Sequence, residues 1–212
     1  MRLAYHDEME VPYELTGRRQ QKARTRTAII SAARELLAEG LNPTVEHAAD
    51  RAQVSRTTAY RYFPNQRALL VATFPEVAAT SLLPQPAPED PQARFESVVA
   101  ELVDRVVEHE PELRAQLRLS LEPDGAEPGE LPFRAGRAIG WIEDALAPLR
   151  GRLADEDLHR LALATRCAVG IEALVWLTDV AGLSPDQAIE VMRWSAQALY
   201  LATTSKPPVT PE

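Results

Sequence analysis

The sequence predicts an all-α fold, with an N-terminal three-helix helix–turn–helix domain joined to a larger C-terminal helical domain. Three observations carry this prediction. Apolar residues recur at three- and four-residue spacing, while no stretch alternates β-branched residues with period two and no unit repeats at a fixed period. Proline and glycine gather in short runs that cut the helical pattern into ordinary helix lengths. Charge is divided: residues 17–67 hold ten Lys and Arg against four acids, a net +6, whereas residues 68–212 hold twelve against twenty-three, a net −11.

The elements follow in order. Residues 1–16 are polar, contain Pro12, and read as a mobile tail. A first helix is expected over about Thr25 to Glu39, where Ile29, Ala33, Leu36 and Leu37 make one apolar stripe, and Gly40 stops it. Pro43 keeps the chain extended into Thr44, an N-cap for a short helix from Val45 to Ala52. Gln53-Val54-Ser55 turns the chain into a third helix, Arg56 to Phe63, which Pro64-Asn65 breaks. A fourth begins near Gln66, with Leu69, Leu70 and Phe74 apolar and Pro75 ending or kinking it.

Pro84 to Pro91 is a stiff linker, and helices are expected at roughly 92–110, 112–121 and 133–149. The Pro/Gly-rich run Pro123 to Pro132 separates the last two. One long helix then spans about 155–181, with Gly182 and Leu183 placed for a Schellman ending. Ser184-Pro185-Asp186-Gln187 opens another, to about Thr203, with a capping box and proline at the first helical position. The domains are read as 17–67 and 68–204, with 205–212 a disordered tail.

Composition excludes several classes of function. With 212 residues, 45% apolar and 25% charged, the chain has enough material for a core and is too apolar to be disordered throughout. The lone cysteine, Cys167, excludes a disulfide framework and a Cys-based zinc cluster. His6, His47, His109 and His159 do not fall at metal-ligand spacing, so neither a metal nor another cofactor is expected. A Gly-rich phosphate loop, a nucleophile elbow and a His-x-x-x-His pair are all missing, which argues against an enzyme. The N-terminus has no apolar run for a signal peptide, and Arg166, Glu172 and Asp179 interrupt the most apolar helix. The expectation is therefore a cytoplasmic protein with no membrane partner.

Residues 44–63 carry the function. Val45, Ala48, Ala49 and Ala52 bury one face of the first short helix, Val54 plugs the corner, and Ser55 caps the second. Small side chains at Ala48, Ala49, Ala52 and Ala59 let the two helices cross closely. The second helix then displays Arg56, Thr57, Thr58, Tyr60, Arg61 and Tyr62, groups that bond phosphate oxygens or base edges. A basic block on an acidic body is also the charge pattern of a local polyanion-binding surface.

The run Ser55-Arg56-Thr57-Thr58-Ala59-Tyr60-Arg61-Tyr62-Phe63-Pro64-Asn65, preceded by the amphipathic helix Thr25 to Glu39, resembles the DNA-binding region of TetR-type (tetracycline-repressor-like) transcriptional regulators. The resemblance spans about residues 24–71. It implies that the helix Arg56 to Phe63 enters the major groove of double-stranded operator DNA. Thr57, Thr58 and Tyr60 would be groove contacts, with Ser55 at the helix start and Arg56 and Arg61 on bases or phosphates. Thr44, Tyr62 and Arg67 would clamp the backbone, and the segment holding Arg24 and Arg26 would supply flanking contacts. Five positions depart from the pattern. Gln53 stands where glycine is usual, at a left-handed cost of about 1 kcal/mol. Ala48 and Ala59 each replace a larger apolar side chain, His47 stands where an acid would complete the capping box on Thr44, and Gln66 replaces a phosphate-meeting Lys.

The resemblance further implies a C-terminal domain that binds an unknown small-molecule effector and forms a homodimer through its last two helices. Gly170, Met192, Trp194, Leu199 and Tyr200 are the candidate dimer residues; Trp141, Arg166, Glu172 and Trp176 are the candidate pocket residues. Cys167 reads as a small buried hydrophobe, and His109 and His159 as exposed at helix ends. The rival functional reading is a helical ligand-binding or protein-interaction module whose headpiece no longer binds DNA.

Overall fold

The computed structural model describes residues 13–73, 80–121 and 136–205, and all regular elements among them are helical. The chain divides into two compact units between Thr73 and Phe74. The expected tail over 1–12, the loop from Pro123 to Pro132, and residues 206–212 lie outside the described residues.

Four helices build the first unit, the headpiece: α1 (Tyr13–Ala38), α2 (Val45–Arg51), α3 (Arg56–Tyr62) and α4 (Gln66–Thr73). The helix α1 starts at Tyr13 instead of Thr25, so residues 13–16 are not tail. Gln20 to Arg24 are good helix formers but polar, so they extend the helix while leaving no apolar stripe to read. At its other end Gly40 takes φ 77° and closes a Schellman motif: Leu41 N–H bonds Leu36 O and Gly40 N–H bonds Leu37 O, both 2.9 Å.

The turn after α2 has the same form with the wrong residue in it. Gln53 sits at φ 55°, its N–H on Asp50 O at 3.2 Å, and Val54 N–H reaches Ala49 O at 2.9 Å. Val54 thus packs back onto the core, which is built from Ile29, Ala33, Val45, Ala48, Ala59, Phe63 and their neighbours. The helix α4 belongs to this unit through all its described length. Arg34 Nε of α1 donates to the Thr73 carbonyl at 2.6 Å, which sets the boundary at Thr73 and not within the first turn of α4.

The second unit holds α5 (Pro91–Glu108), α6 (Glu110–Ser120), α7 (Arg137–Leu146) with a 3-10 turn at Ala147–Leu149, α8 (Asp155–Ala168), α9 (Ile171–Val175) and α10 (Pro185–Thr204). Asp90 caps α5 by accepting from Ala93 N–H at 2.9 Å. The helices α5, α7, α8 and α10 pack together around Phe95, Leu102, Ile142, Leu161, Met192 and Tyr200. The capping box of α10 is complete: Ser184 Oγ accepts from Gln187 N–H at 3.3 Å and Gln187 Oε1 from Ser184 N–H at 2.9 Å.

The single helix expected over 155–181 is broken. The stretch contains an 18-residue window of mean hydropathy 1.5, long and apolar enough to cross a membrane. Instead the chain stops at Ala168, passes Gly170 in extended backbone (φ −89°, ψ 174°), restarts as α9, and widens into a π-type turn at Trp176–Val180. Glycine costs a helix about 1 kcal/mol relative to alanine, so the break falls where helix is least favoured. The wide turn changes the ending too. Gly182 is left-handed at φ 71°, but Leu183 N–H bonds Leu177 O, one residue further back than a Schellman motif requires. Arg114 of α6 holds this turn in a fork, reaching the two Asp179 oxygens at 2.6 and 2.8 Å and Glu110 at 2.7 Å.

Candidate nucleic-acid interface and internal cavity

Two capped helices aim the headpiece side chains. Thr44 Oγ1 accepts from His47 N–H at 3.2 Å to start α2, and Ser55 Oγ accepts from Thr58 N–H at 3.3 Å to start α3. Ser55 and Thr44 are therefore engaged as caps. On α3, Ala59 is fully buried and the following Phe63 is 3% exposed, which turns Arg56, Thr57, Tyr60 and Arg61 outward. Thr58 and Tyr62 are half-buried at its flanks.

The four acids of the basic segment all have partners. Arg51 binds Glu39 through two hydrogen bonds, at 2.8 and 3.0 Å, and reaches Glu35 at 3.6 Å. Arg56 approaches Asp50 at 3.4 Å. Glu46 accepts a short hydrogen bond from the Tyr60 hydroxyl. That bond is the main reason the Glu46 carboxyl is held below its ordinary range and the Tyr60 phenol above its own, so Tyr60 stays protonated and Glu46 ionised. The sequence reading missed Glu46; its signal was an acid in the first turn of α2, in the middle of a basic segment.

Between α1 and α3 runs a groove of about 400 Å³ lined by Gln21, Lys22, Thr25, Thr58, Arg61 and Tyr62. Lys22 and Arg61 face it from opposite sides, so the basic residue that α1 contributes there is Lys22. Arg24 is exposed outside the groove wall, and Arg26 lies over the Phe63 ring, 5.6 Å from its centroid. Gln66 is engaged inside the headpiece, where its Nε2 donates to Asn42 Oδ1 at 3.0 Å and to the Pro43 carbonyl at 3.1 Å, fixing the loop before α2. Asn65 Oδ1 caps α4 on Ala68 N–H at 2.8 Å, with Arg67 half-buried beside it.

The second unit forms a cavity of about 480 Å³ that is open to solvent on one side. Leu102 and Val106 of α5, Leu113 of α6, Ile139 and Trp141 of α7 and Leu163 of α8 give it an apolar wall. Its polar groups are Arg105, His109, Arg137, Arg166, Cys167 and Glu172. Arg166 and Glu172 meet at 3.1 Å, and the guanidinium occupies the space that a side chain on Gly170 would fill. Three expectations are corrected here. Trp176 is 58% exposed and takes no part in the wall, because the break at Gly170 rotates α9 away from the helical register assumed for it. Cys167 is exposed and not buried, since the same break leaves the end of α8 uncovered. His109 is half-buried against the cavity, because α5 and α6 bend at that residue.

The candidate dimer residues separate in the same way. Met192 is fully buried and Tyr200 is 5% exposed, its ring stacked on Phe95 with centroids 4.9 Å apart, so both serve the core of their own unit. Gly170 is covered by Arg166, leaving no surface for a partner. Leu199 is half-buried, and only Trp194, at 68% exposure, stands clear on α10, accompanied by Val191 and Leu201.

Residues 29–73 match the family model described as bacterial regulatory proteins, tetR family. Over those residues the headpiece is similar to the TetR-family DNA-binding region. Solved TetR-type structures share the wider fold. A TetR transcriptional regulator from Rhodococcus sp. RHA1 aligns with TM-score 0.53 and 21% identity over 85% of this chain and 98% of its own. SmeT, in a complex with triclosan, aligns with TM-score 0.54 and 21% identity over 89% of this chain and 98% of its own. No curated protein matches the chain in sequence. At this identity the likeness to the TetR-type structures establishes an N-terminal helix–turn–helix followed by a helical domain.

Proposed function

We propose that the chain is a homodimeric, ligand-responsive transcriptional regulator of the cytoplasm, a repressor that leaves a near-palindromic operator when a small molecule enters the cavity. One observation carries the reading: a capped α3 turns Thr57, Tyr60 and Arg61 outward, next to a groove that Lys22 and Arg61 flank. Outward threonine, tyrosine and arginine suit base edges, while the two cations suit the phosphates beside them. The departures at Gln53 and Gln66 leave this surface in place, because the turn closes on Gln53 and Gln66 braces the loop.

A dimer would present two copies of α3 about 34–36 Å apart, or at a larger groove spacing. The effector would act by binding the DNA-competent and incompetent states with different affinity. The test is titration against DNA upstream of the protein's own gene at several salt concentrations. A regulator gives sequence preference and a log–log salt slope that falls by roughly 0.9 for each phosphate contact. Replacing Tyr60→Ala and Arg61→Ala together removes the preference. Binding that has neither preference nor salt dependence, or that survives both substitutions, refutes the reading and favours a helical module without DNA affinity.

A further inference from the structure

We infer that the cavity takes a small amphiphilic anion, an apolar body ending in one carboxylate, whose head group displaces Glu172 at the Arg166 guanidinium. The inference rests on the effector reading above and names the chemical class of that ligand.

The asymmetry of the Arg166–Glu172 pair carries it. The Arg166 side chain is 23% exposed and that of Glu172 is 45% exposed. Glu172 therefore has water to turn to when it leaves, whereas arginine stays charged at any working pH and can take a second anion in its place. Its guanidinium also lies against the bare backbone of Gly170, where no side chain stands in its way. The contact of 3.1 Å is longer than the usual charge-assisted bond, so a carboxylate free to align with the guanidinium fork makes a better partner. The rest of the wall agrees in sign. Arg105 and Arg137 also line the cavity and Glu172 is the one carboxylate among the described residues that does, while Glu101 and Glu108 engage Arg105 and His109 from outside it. The remaining wall is mostly aliphatic or aromatic, and about 480 Å³ suits a small apolar body.

Octanoate, 1-octanol and octylammonium share one chain length and differ in head group, so calorimetric titration of the full-length protein with each reads the preference. Octanoate is expected to bind at least roughly tenfold tighter than the other two. Arg166→Gln abolishes that preference, and Glu172→Gln, which removes the competing carboxylate, tightens octanoate several-fold without tightening octanol. The gain with Glu172→Gln guards against a loss at Arg166→Gln that reflects misfolding. If octanol or octylammonium binds as well as octanoate and cavity-filling Ile139→Trp abolishes that binding, the anionic class is wrong and the cavity remains an effector site. If none of the three binds, the inference fails.

Discussion

Gly170→Ala separates the packing role of this glycine from any backbone role. The backbone at Gly170 lies at φ −89°, ψ 174°, extended geometry that alanine adopts freely, so the substitution carries no conformational penalty. The new methyl would stand 2.9 Å from Arg166 Cζ and nearer still to Arg166 Nη1 and Glu172 Oε2. All three atoms belong to the ends of flexible side chains, so the side chains move and the helix break stays. The half-exposed ion pair that is lost is worth about 0–1 kcal/mol. Replacing glycine by alanine returns about 0.4–1 kcal/mol through the unfolded chain. The two nearly cancel, which predicts a melting temperature within about 4 °C of the parent's. Octanoate preference, in contrast, should disappear although Arg166 is still present. Adding Glu172→Gln to Gly170→Ala should then change nothing further, because the pair is already broken. A fall of more than about 8 °C would mean that backbone yields instead of side chains. An undiminished effect of Glu172→Gln in the alanine background would mean that the pair survives; either result refutes the reasoning.

Thr165 Oγ1 is fully buried with no hydrogen-bond partner among the described residues, so Thr165→Val should stabilise the second unit by about 1 kcal/mol, read as a higher urea midpoint at unchanged m-value. Gln53→Gly relieves a left-handed backbone cost of about 1 kcal/mol, partly offset by the entropy of glycine in the unfolded chain. The headpiece should gain up to about 1 kcal/mol in denaturant unfolding, and a loss would show that the Gln53 side chain itself stabilises the turn. Asp179 is held at about 2, below its ordinary 3.8, chiefly by the Arg114 hydrogen bonds and then by the Thr178 hydroxyl. Its contribution is therefore complete above pH 3.8 and lost as pH falls from 3.8 to about 2, so acid titration of stability should be less steep over that window in Asp179→Asn.

The headpiece was legible because its information is local. Thr44 and Ser55 cap by hydrogen bonds three residues away, and the apolar stripe of Ile29 and Ala33 fixes which face of α1 is inward. The start of α1 escaped because Gln20 to Arg24 favour helix without burying a face, and periodicity detects only buried faces. The second unit was harder for the opposite reason. Trp194 and Met192 are two apolar residues two positions apart on one helix, yet one is 68% exposed and the other fully buried. The difference is decided by α5 and α8, far away in sequence. Gly170 is expected at a dimer contact, but what approaches it is the guanidinium four residues before it. A helix break of two residues, Val169 and Gly170, leaves Trp176 out of the cavity and Cys167 open to solvent. No local rule contains that rotation, since an unbroken helix and a broken one share almost the same pattern of apolar residues.

The charge pattern gains a sharper meaning once partners are assigned. The sum of +6 over residues 17–67 treats ten cations alike, but Arg51 and Arg56 are drawn to acids, and Arg34 is turned inward to the end of α4. Among the described residues Lys22, Arg24 and Arg61 have no acid beside them, and they lie on the N-terminal half of α1 and on α3. The acids occupy the C-terminal half of α1 and α2 instead. Salt bridges at the surface add little stability, so their main physical effect here is to cancel charge, that of Arg51 behind the outward face of α3 and that of Arg56 at its edge. Glu46 also sits on that face, against Tyr60. A carboxylate there opposes phosphate and accepts from the exocyclic amine of cytosine, which places a discriminating group among the attractive ones. Under the proposed DNA-binding role, affinity and selectivity would fall to different side chains of one surface: Lys22, Arg24 and Arg61 would supply the first, and Tyr60 with Glu46 the second.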